Sequence, residues 1–282
     1  MKHVSLPGGE KVPALGLGTW RMGESARTRA GEVAAVREAI EMGYRLIDTA
    51  EMYGEGGAES VVGEALRGAV QAGDVRREEL FIVSKVYPHN ASRAGTVAAC
   101  ERSLARLGLD HIDLYLLHWR GSHPLRETVE GFEALRARQS IRHWGVSNCD
   151  VDDLQELWPV SGACAANQVW YSMSQRGVEF DLLPWQRERG VPLMAYSPID
   201  QAELARNIML AELGLRRGIT AAQLALAWTL RDGGVIAIPK AVKTEHLRAN
   251  LAAADVQLDR ETLAALDTAF PPPKRRQPLA VN

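Results

Sequence analysis

The sequence predicts a single (β/α)8 barrel behind an N-terminal β-hairpin. Three observations predict it: short apolar runs alternate with segments of helical period, the alternation makes eight strand–helix units, and no linker rich in Pro, Gly or Ser divides the chain. Strands that are apolar throughout belong to a parallel sheet covered by helices, and eight units suffice to close such a sheet on itself. The length of 282 residues agrees, because such barrels use roughly 250 residues as one domain. A doubly wound open sheet is the rival architecture. It would carry a Gly-x-Gly-x-x-Gly turn after its first strand, and GLGTWRMG at 16–23 lacks that spacing.

The elements follow in order. HVSLPGGEKVPAL at 3–15 sets Leu6, Pro7, Gly8 and Gly9 between two short alternating stretches, a hairpin with a glycine turn. Strands near 14–17 and 45–48 begin the barrel. Residues 58–70 place Val61, Val62, Ala65, Leu66, Ala69 and Val70 on one stripe of period 3.6, a helix with one buried face, and FIVSK at 81–85 is a strand. Stripes through Val97, Cys100, Leu104 and Leu107, and through Val129, Phe132 and Leu135, alternate with strands at 112–117 and 141–146. Further strands are expected at 164–169, 191–195 and 235–238, with helical patterns at 178–189, 203–231 and 244–254. PPPKRRQP at 271–278 opens a C-terminal tail, 271–282, expected on the surface or disordered.

Composition narrows the function. With 33 basic against 35 acidic side chains the chain has a formal charge of −2 and no basic stripe, which excludes nucleic acid or anionic lipid as the main partner. Cys100, Cys149 and Cys164 form no CxxC pair, so they are expected as reduced thiols of a cytoplasmic protein without a metal site. The N-terminus has no signal-peptide core, and no apolar run approaches the ~20 residues of a membrane helix, so a soluble protein is expected.

Barrel enzymes build their sites where strands end, so polar residues there are the candidates. Strand 2 ends in RLIDTAEMYG, strand 3 in FIVSKVYP, strand 4 in IDLYLLHW and strand 5 in HWGVSN, which brings Asp48, Tyr53, Lys85, His118, Ser147 and Asn148 to one rim. A carboxylate keeps a neighbouring lysine charged in a partly buried site, and a charged Lys85 beside Tyr53 is expected to bring the phenol down from about 10. Tyr53 then becomes a proton donor, and His118 holds a substrate oxygen by a hydrogen bond. Each residue taken singly is as well read as a structural ion pair or packing group. On these residues alone the reading is a barrel enzyme of undefined reaction.

GLGTW at 16–20, IDTAEMYG at 47–54, VSK at 83–85, DLYLLHW at 113–119, GVSN at 145–148, NQVWY at 167–171, AYSP at 195–198 and IPK at 238–240 resemble, in order, the signature blocks of the aldo-keto reductases. The resemblance runs from Leu15 to about Leu251. Within the family, DTAEMYGEGGAE, SKVYP, LLHWRGS and IRHWGVSN are most similar to bacterial YeaE-type members, related to methylglyoxal reductases. The resemblance implies a TIM barrel and a catalytic tetrad of Asp48, Tyr53, Lys85 and His118. It implies that a hydride passes from a reduced nicotinamide to a carbonyl carbon while Tyr53 protonates the oxygen. It also implies cofactor contacts at Gly18, Thr19, Trp20, Asp48, Ser147, Asn148, Gln168, Tyr196, Ser197, Ile199, Ile238, Lys240, Ala241, Val242, Lys243, His246 and Asn250. The implied substrate walls are Trp20, Tyr87, His118 and Trp119.

Departures from the family pattern fall at the adenosine end. Where members often have Lys-Ser and then Arg six positions after the Lys, this chain has Lys240, Ala241 and His246, and an imidazole grips a phosphate less firmly than a guanidinium. Lys243 and Arg248 lie close enough to compensate, so NADPH is expected over NADH. Asp200 is an acidic residue of unclear benefit near a pyrophosphate, and the segment after strand 7 looks short for a belt over the cofactor. The brief polar tail suits a reductase of broad aldehyde and α-dicarbonyl specificity, and the resemblance implies a monomer. The competing functions are a cofactor-binding, redox-sensing regulatory subunit, for which no added partner segment is present, and a metal-dependent hydrolase, for which His118 and His123 are wrongly spaced.

Overall fold

A computed structural model describes residues 2–282. The chain opens with an antiparallel hairpin, β1 (His3–Ser5) and β2 (Lys11–Pro13), whose turn holds Gly9 at φ +84°, a backbone that a side chain would strain. Eight strands follow: β3 (Leu17–Gly18), β4 (Leu46–Asp48), β5 (Phe81–Val86), β6 (Ile112–Leu117), β7 (Ile141–Ser147), β8 (Cys164–Trp170), β9 (Leu193–Tyr196) and β10 (Val235–Ala237). Each is parallel to its neighbour in sequence. The two ends of the sheet meet through parallel bridges between Leu15 and Ala237 and between Gly18 and Lys240, which close the barrel. Every residue of β5 and β6 is buried, as strands covered on both faces require. The hairpin lies across the N-terminal ends of the strands, where Glu10 receives Arg142 at 2.8 Å from the start of β7.

The helices are α1 (Ala26–Met42), α2 (Gly57–Ala72), α3 (Arg93–Leu107), α4 (Leu125–Ala137), α5 (Val151–Leu157), α6 (Leu182–Glu188), α7 (Ile208–Leu215), α8 (Ala221–Thr229), α9 (Thr244–Ala253) and α10 (Arg260–Ala269). Ser25, Ser92 and Asp259 cap the starts of α1, α3 and α10 by accepting backbone N–H groups, and left-handed glycines, Gly43 and Gly108, end α1 and α3. None is long and apolar enough to cross a membrane. The buried apolar side chains form one cluster reaching from Val4 in the hairpin to Leu266 in α10.

Two helical expectations are corrected. The pattern at 203–231 is three pieces: a 3-10 turn (Leu204–Arg206), α7 and α8. The break lies at Gly218, φ +70°, and Thr220 then starts α8 with a reciprocal capping box to Gln223. The pattern at 178–189 likewise splits into a 3-10 turn (Gly177–Glu179) and α6, which starts just ahead of Pro184, tolerated only in a first turn. The tail is ordered on the surface. Arg276 is held by Asp152 at 2.8 Å, Asp181 at 3.1 Å and Asp150 at 3.6 Å, and the Asn282 side-chain amide donates to Ser197 Oγ at 3.0 Å.

Candidate active site

The C-terminal ends of β4, β5 and β6 deliver three side chains to one point. Asp48 is the last residue of β4, Lys85 lies near the end of β5, and His118 follows β6, its N–H donating to Val86 O at 3.0 Å. Tyr53 comes from the turn ahead of α2, which packs backbone to backbone on the β3–α1 loop. A Cβ on Gly23 would stand 2.1 Å from the Gly57 carbonyl carbon, and one on Gly54 2.9 Å from Gly23. Only glycines permit that approach, and the approach aims Tyr53 at Lys85.

Lys85 is fully buried, and its ammonium spends its three donors on Asp48 Oδ2 at 2.8 Å, Thr49 O at 2.8 Å and Tyr53 OH at 3.3 Å. Burial pulls this lysine down, but Asp48 and then Tyr53 outweigh it and hold the ammonium charged. Burial lifts Asp48 above the usual carboxylate range, opposed by Lys85 and by the Gln168 amide, which donates to Asp48 Oδ1 at 2.8 Å. Thr19, just after β3, fixes the backbone of Asp48 by donating to its carbonyl oxygen through N–H at 3.0 Å and Oγ1 at 2.9 Å.

The phenol departs from the sequence expectation. Burial raises Tyr53 above 10, and Asp48 adds to it, so that Lys85 fails to bring it down. Tyr53 therefore stands as a neutral O–H, and the cation beside it serves to stabilise the tyrosinate left after the proton departs. His118 meets the Tyr53 ring edge-on at 5.7 Å, and burial followed by the Lys85 charge holds its imidazole well below 6.5. It is thus a neutral hydrogen-bonding group, and its Nδ1 is buried without a partner among the described residues.

Asp48, Tyr53 and His118 open onto a cavity of about 380 Å³, with Lys85 buried behind them, and the wall also includes Gly18, Trp20, Trp119, Ser147, Asn148, Gln168, Tyr196, Ser197, Ile199, Ile238 and Lys240. At Gly18 an added Cβ would stand 2.7 Å from Ile238 O, so a side chain there would part the barrel seam. The register slips between Trp144 and Val146, at Gly145, where a Cβ would lie 2.3 Å from Ala166 O. Beyond that slip Ser147 pairs with Gln168, and Ser147 Oγ donates to Gln168 O at 2.8 Å. Asn148, in the left-handed region at φ +54°, donates to His118 O at 3.1 Å and accepts from Tyr196 OH at 2.9 Å.

The segment after β9 carries Ser197, Asp200, Gln201 and Ala202 at positive φ, a concentration of non-glycine strain on the cavity wall. Asp200 resolves its own puzzle. Its carboxylate turns away from the cavity into a buried pocket, where it accepts from Trp170 Nε1 at 2.9 Å and from Ser174 Oγ.

Some expected residues lie elsewhere. Tyr87 backs the edge of Trp119 at 6.0 Å and faces a neighbouring cleft with Glu51 and His89, so it is not on the cavity wall. Thr19 is buried beneath the wall, and Ala241, Val242, Lys243, His246 and Asn250 lie beyond it, on and before α9. Lys243 approaches Glu245 at 4.0 Å, whereas Lys240 has no ion-pair partner among the described residues. The sequence reading missed Arg21, Met52, Gln201 and Asn282, all on the wall. Adjacency to Trp20 and Tyr53 was a signal for the first two; the tail carries no pattern that could have pointed to Asn282.

The barrel and the ring of groups at its rim define the class. The chain belongs to the aldo/keto reductase family, whose model matches residues 14–270. Among its relatives it is 50% identical to the methylglyoxal reductase YeaE of Escherichia coli, over 99% of this chain and 98% of that one. It is 35% identical to a glyoxal reductase of Bacillus subtilis, over 94% and 91% of the two chains. An aldo-keto reductase of Klebsiella pneumoniae solved in complex with NADPH superposes with a TM-score of 0.94 at 49% identity, covering 100% of this chain and 99% of that one.

Proposed function

We propose that the protein is an NADPH-dependent reductase of small aldehydes and α-dicarbonyls, methylglyoxal among them. One observation carries the reading: a neutral tyrosine hydroxyl and a neutral histidine meet at the cavity wall, with a charged lysine buried directly behind the tyrosine, the arrangement that carbonyl reduction asks of a protein. The cavity fits the cofactor chemically. Gln168 leaves its Oε1 without a partner among the described residues, Gly18 permits close backbone approach, and Lys240 offers an unpaired cation. When bound, the nicotinamide supplies the hydride for the carbonyl carbon.

The chain's own residues do the rest. His118 donates a hydrogen bond to the carbonyl oxygen and orients it without changing charge. Tyr53 gives its proton to the same oxygen as negative charge develops there, and Lys85, backed by Asp48, holds the tyrosinate that remains. Trp20 and Trp119 supply apolar wall and exclude water from the reacting atoms. Buried, unpaired thiols at Cys100, Cys149 and Cys164 support a reducing compartment, and we take the enzyme to act as a cytoplasmic monomer on small-molecule substrates.

The test is consumption of NADPH and of NADH with a panel of aldehydes, ketoses and methylglyoxal. Turnover with NADPH and α-dicarbonyls is expected, and equal use of NADH would reject the cofactor assignment. Lys240→Met is expected to raise the Kd for NADPH about tenfold, as loss of one charge-assisted contact does, and to leave that for NADH unchanged.

The pH dependence has a defined sign. Reduction needs Tyr53 protonated, and since its ionisation lies above 10 the acid form persists through neutrality and is lost only at higher pH. His118 sits below 6.5 and stays neutral until the pH falls well under that value. The profile of kcat is therefore expected to be flat from about pH 6 to 9. An inflection near the ordinary histidine range would show that His118 titrates during turnover.

A further inference from the structure

Gln168 and Asp48 are joined across the barrel. In the closed order of eight strands β4 and β8 stand four places apart in either direction, so a bond between them spans the mouth and owes nothing to sheet pairing. Gln168 Nε2 nevertheless lies 2.8 Å from Asp48 Oδ1, and both side chains are buried. The other carboxylate oxygen belongs to Lys85. An ionised carboxylate only accepts, so chemistry fixes which way the amide faces: the NH2 meets Asp48 and Oε1 is turned to other company.

We propose that Gln168 is a positioning residue for the Asp48–Lys85–Tyr53 relay, holding one oxygen of Asp48 so that the other stays on Lys85. The proposal rests on the reductase reading and deepens it. Gln168 has two ends with two tasks. Its Oε1 is left to accept from an amide N–H at the nicotinamide end, while its Nε2 satisfies a charge that would otherwise have a bare oxygen in a buried site. With that donor removed, Asp48 has one fewer group holding it in place, and the ammonium that serves Tyr53 follows Asp48. Besides Asp48 on β4, the charged and titratable groups facing this position are Lys85 on β5, Tyr53 from the turn before α2 and His118 after β6. Ser147 and Met194 on the flanking strands are neutral.

Gln168→Glu separates the two tasks. It keeps the shape and an acceptor oxygen for the cofactor amide but sets a carboxylate against Asp48 unless it holds a proton. The expected result is an NADPH Kd, by fluorescence titration, within about threefold of the parent. Relative to the parent, kcat at pH 7 is expected to fall at least about tenfold and to recover toward pH 5 as the carboxyl regains its proton. A ratio of kcat values that is flat with pH and within threefold of unity overturns the proposal and leaves Gln168 as a cofactor contact only. If Gln168→Glu does not fold, Gln168→Met replaces it: a fall in kcat exceeding the rise in NADPH Kd supports the proposal, and the reverse overturns it. Tyr53→Phe tests the reductase reading separately. An inactive Tyr53→Phe beside a fully active, pH-independent Gln168→Glu removes this inference alone.

Discussion

Tyr53→Phe is expected to lower kcat by a factor of about 10² to 10⁴ while the Kd for NADPH stays near that of the parent. The substitution removes a proton and little else. The ring keeps its edge on His118 at 5.7 Å and its face under the Lys85 ammonium at 4.9 Å, so packing and the cation–π contact survive. Lys85 loses its longest acceptor, the phenol oxygen at 3.3 Å, and retains Asp48 and Thr49 at 2.8 Å each. The charge at the rim is therefore unchanged, and an effect on kcat alone identifies the missing group as the acid. Steady-state kinetics with methylglyoxal, paired with a fluorescence titration of NADPH, reads both quantities, and full activity in the variant would sink the assigned mechanism.

What could be read in advance divides along physical lines. FIVSKV and IDLYLL are buried on every residue, so their apolar runs announced covered parallel strands without ambiguity. Asp48, Lys85 and His118 were legible because a strand end is a fixed address in a barrel, and three consecutive ends carried titratable groups. The charge state of Tyr53 was not legible. Sequence shows that a lysine is near but not how deeply both groups are buried, and here burial wins. The contact between Asp48 and Gln168, 120 residues apart, depends on closure of the whole barrel. The break at Gly218 and the inward turn of Asp200 depend on local backbone conformation, which a 3.6-residue period does not encode.

Lys85→Met is expected to be the most destabilising single change at the site. Lys85 and Asp48 are a buried ion pair at 2.8 Å, and removing one member leaves the other charged with no counterion, a loss of about 3 to 5 kcal/mol. The orphan is Asp48, whose ionisation burial already raises; without Lys85 it rises further. The unfolded chain then ionises Asp48 more readily than the folded one. The destabilisation is therefore expected to be full at pH 7 and to shrink as the pH falls and the folded carboxyl takes up a proton. Adding Asp48→Asn removes the uncompensated charge while its Oδ1 still accepts from Gln168, so urea unfolding of the double variant is expected to recover most of the lost stability. Activity follows a different rule. Neither the single nor the double variant has a cation to hold the tyrosinate, so kcat stays depressed in both by at least about 10²-fold. Stability regained without activity would separate the two duties of the pair: Asp48 is needed because Lys85 is charged and buried, and Lys85 is charged and buried because Tyr53 must give up a proton there. A Lys85→Met protein that unfolds at the parent's urea midpoint would mean that the pair is not ionised, and the electrostatic account of Tyr53 would fall with it.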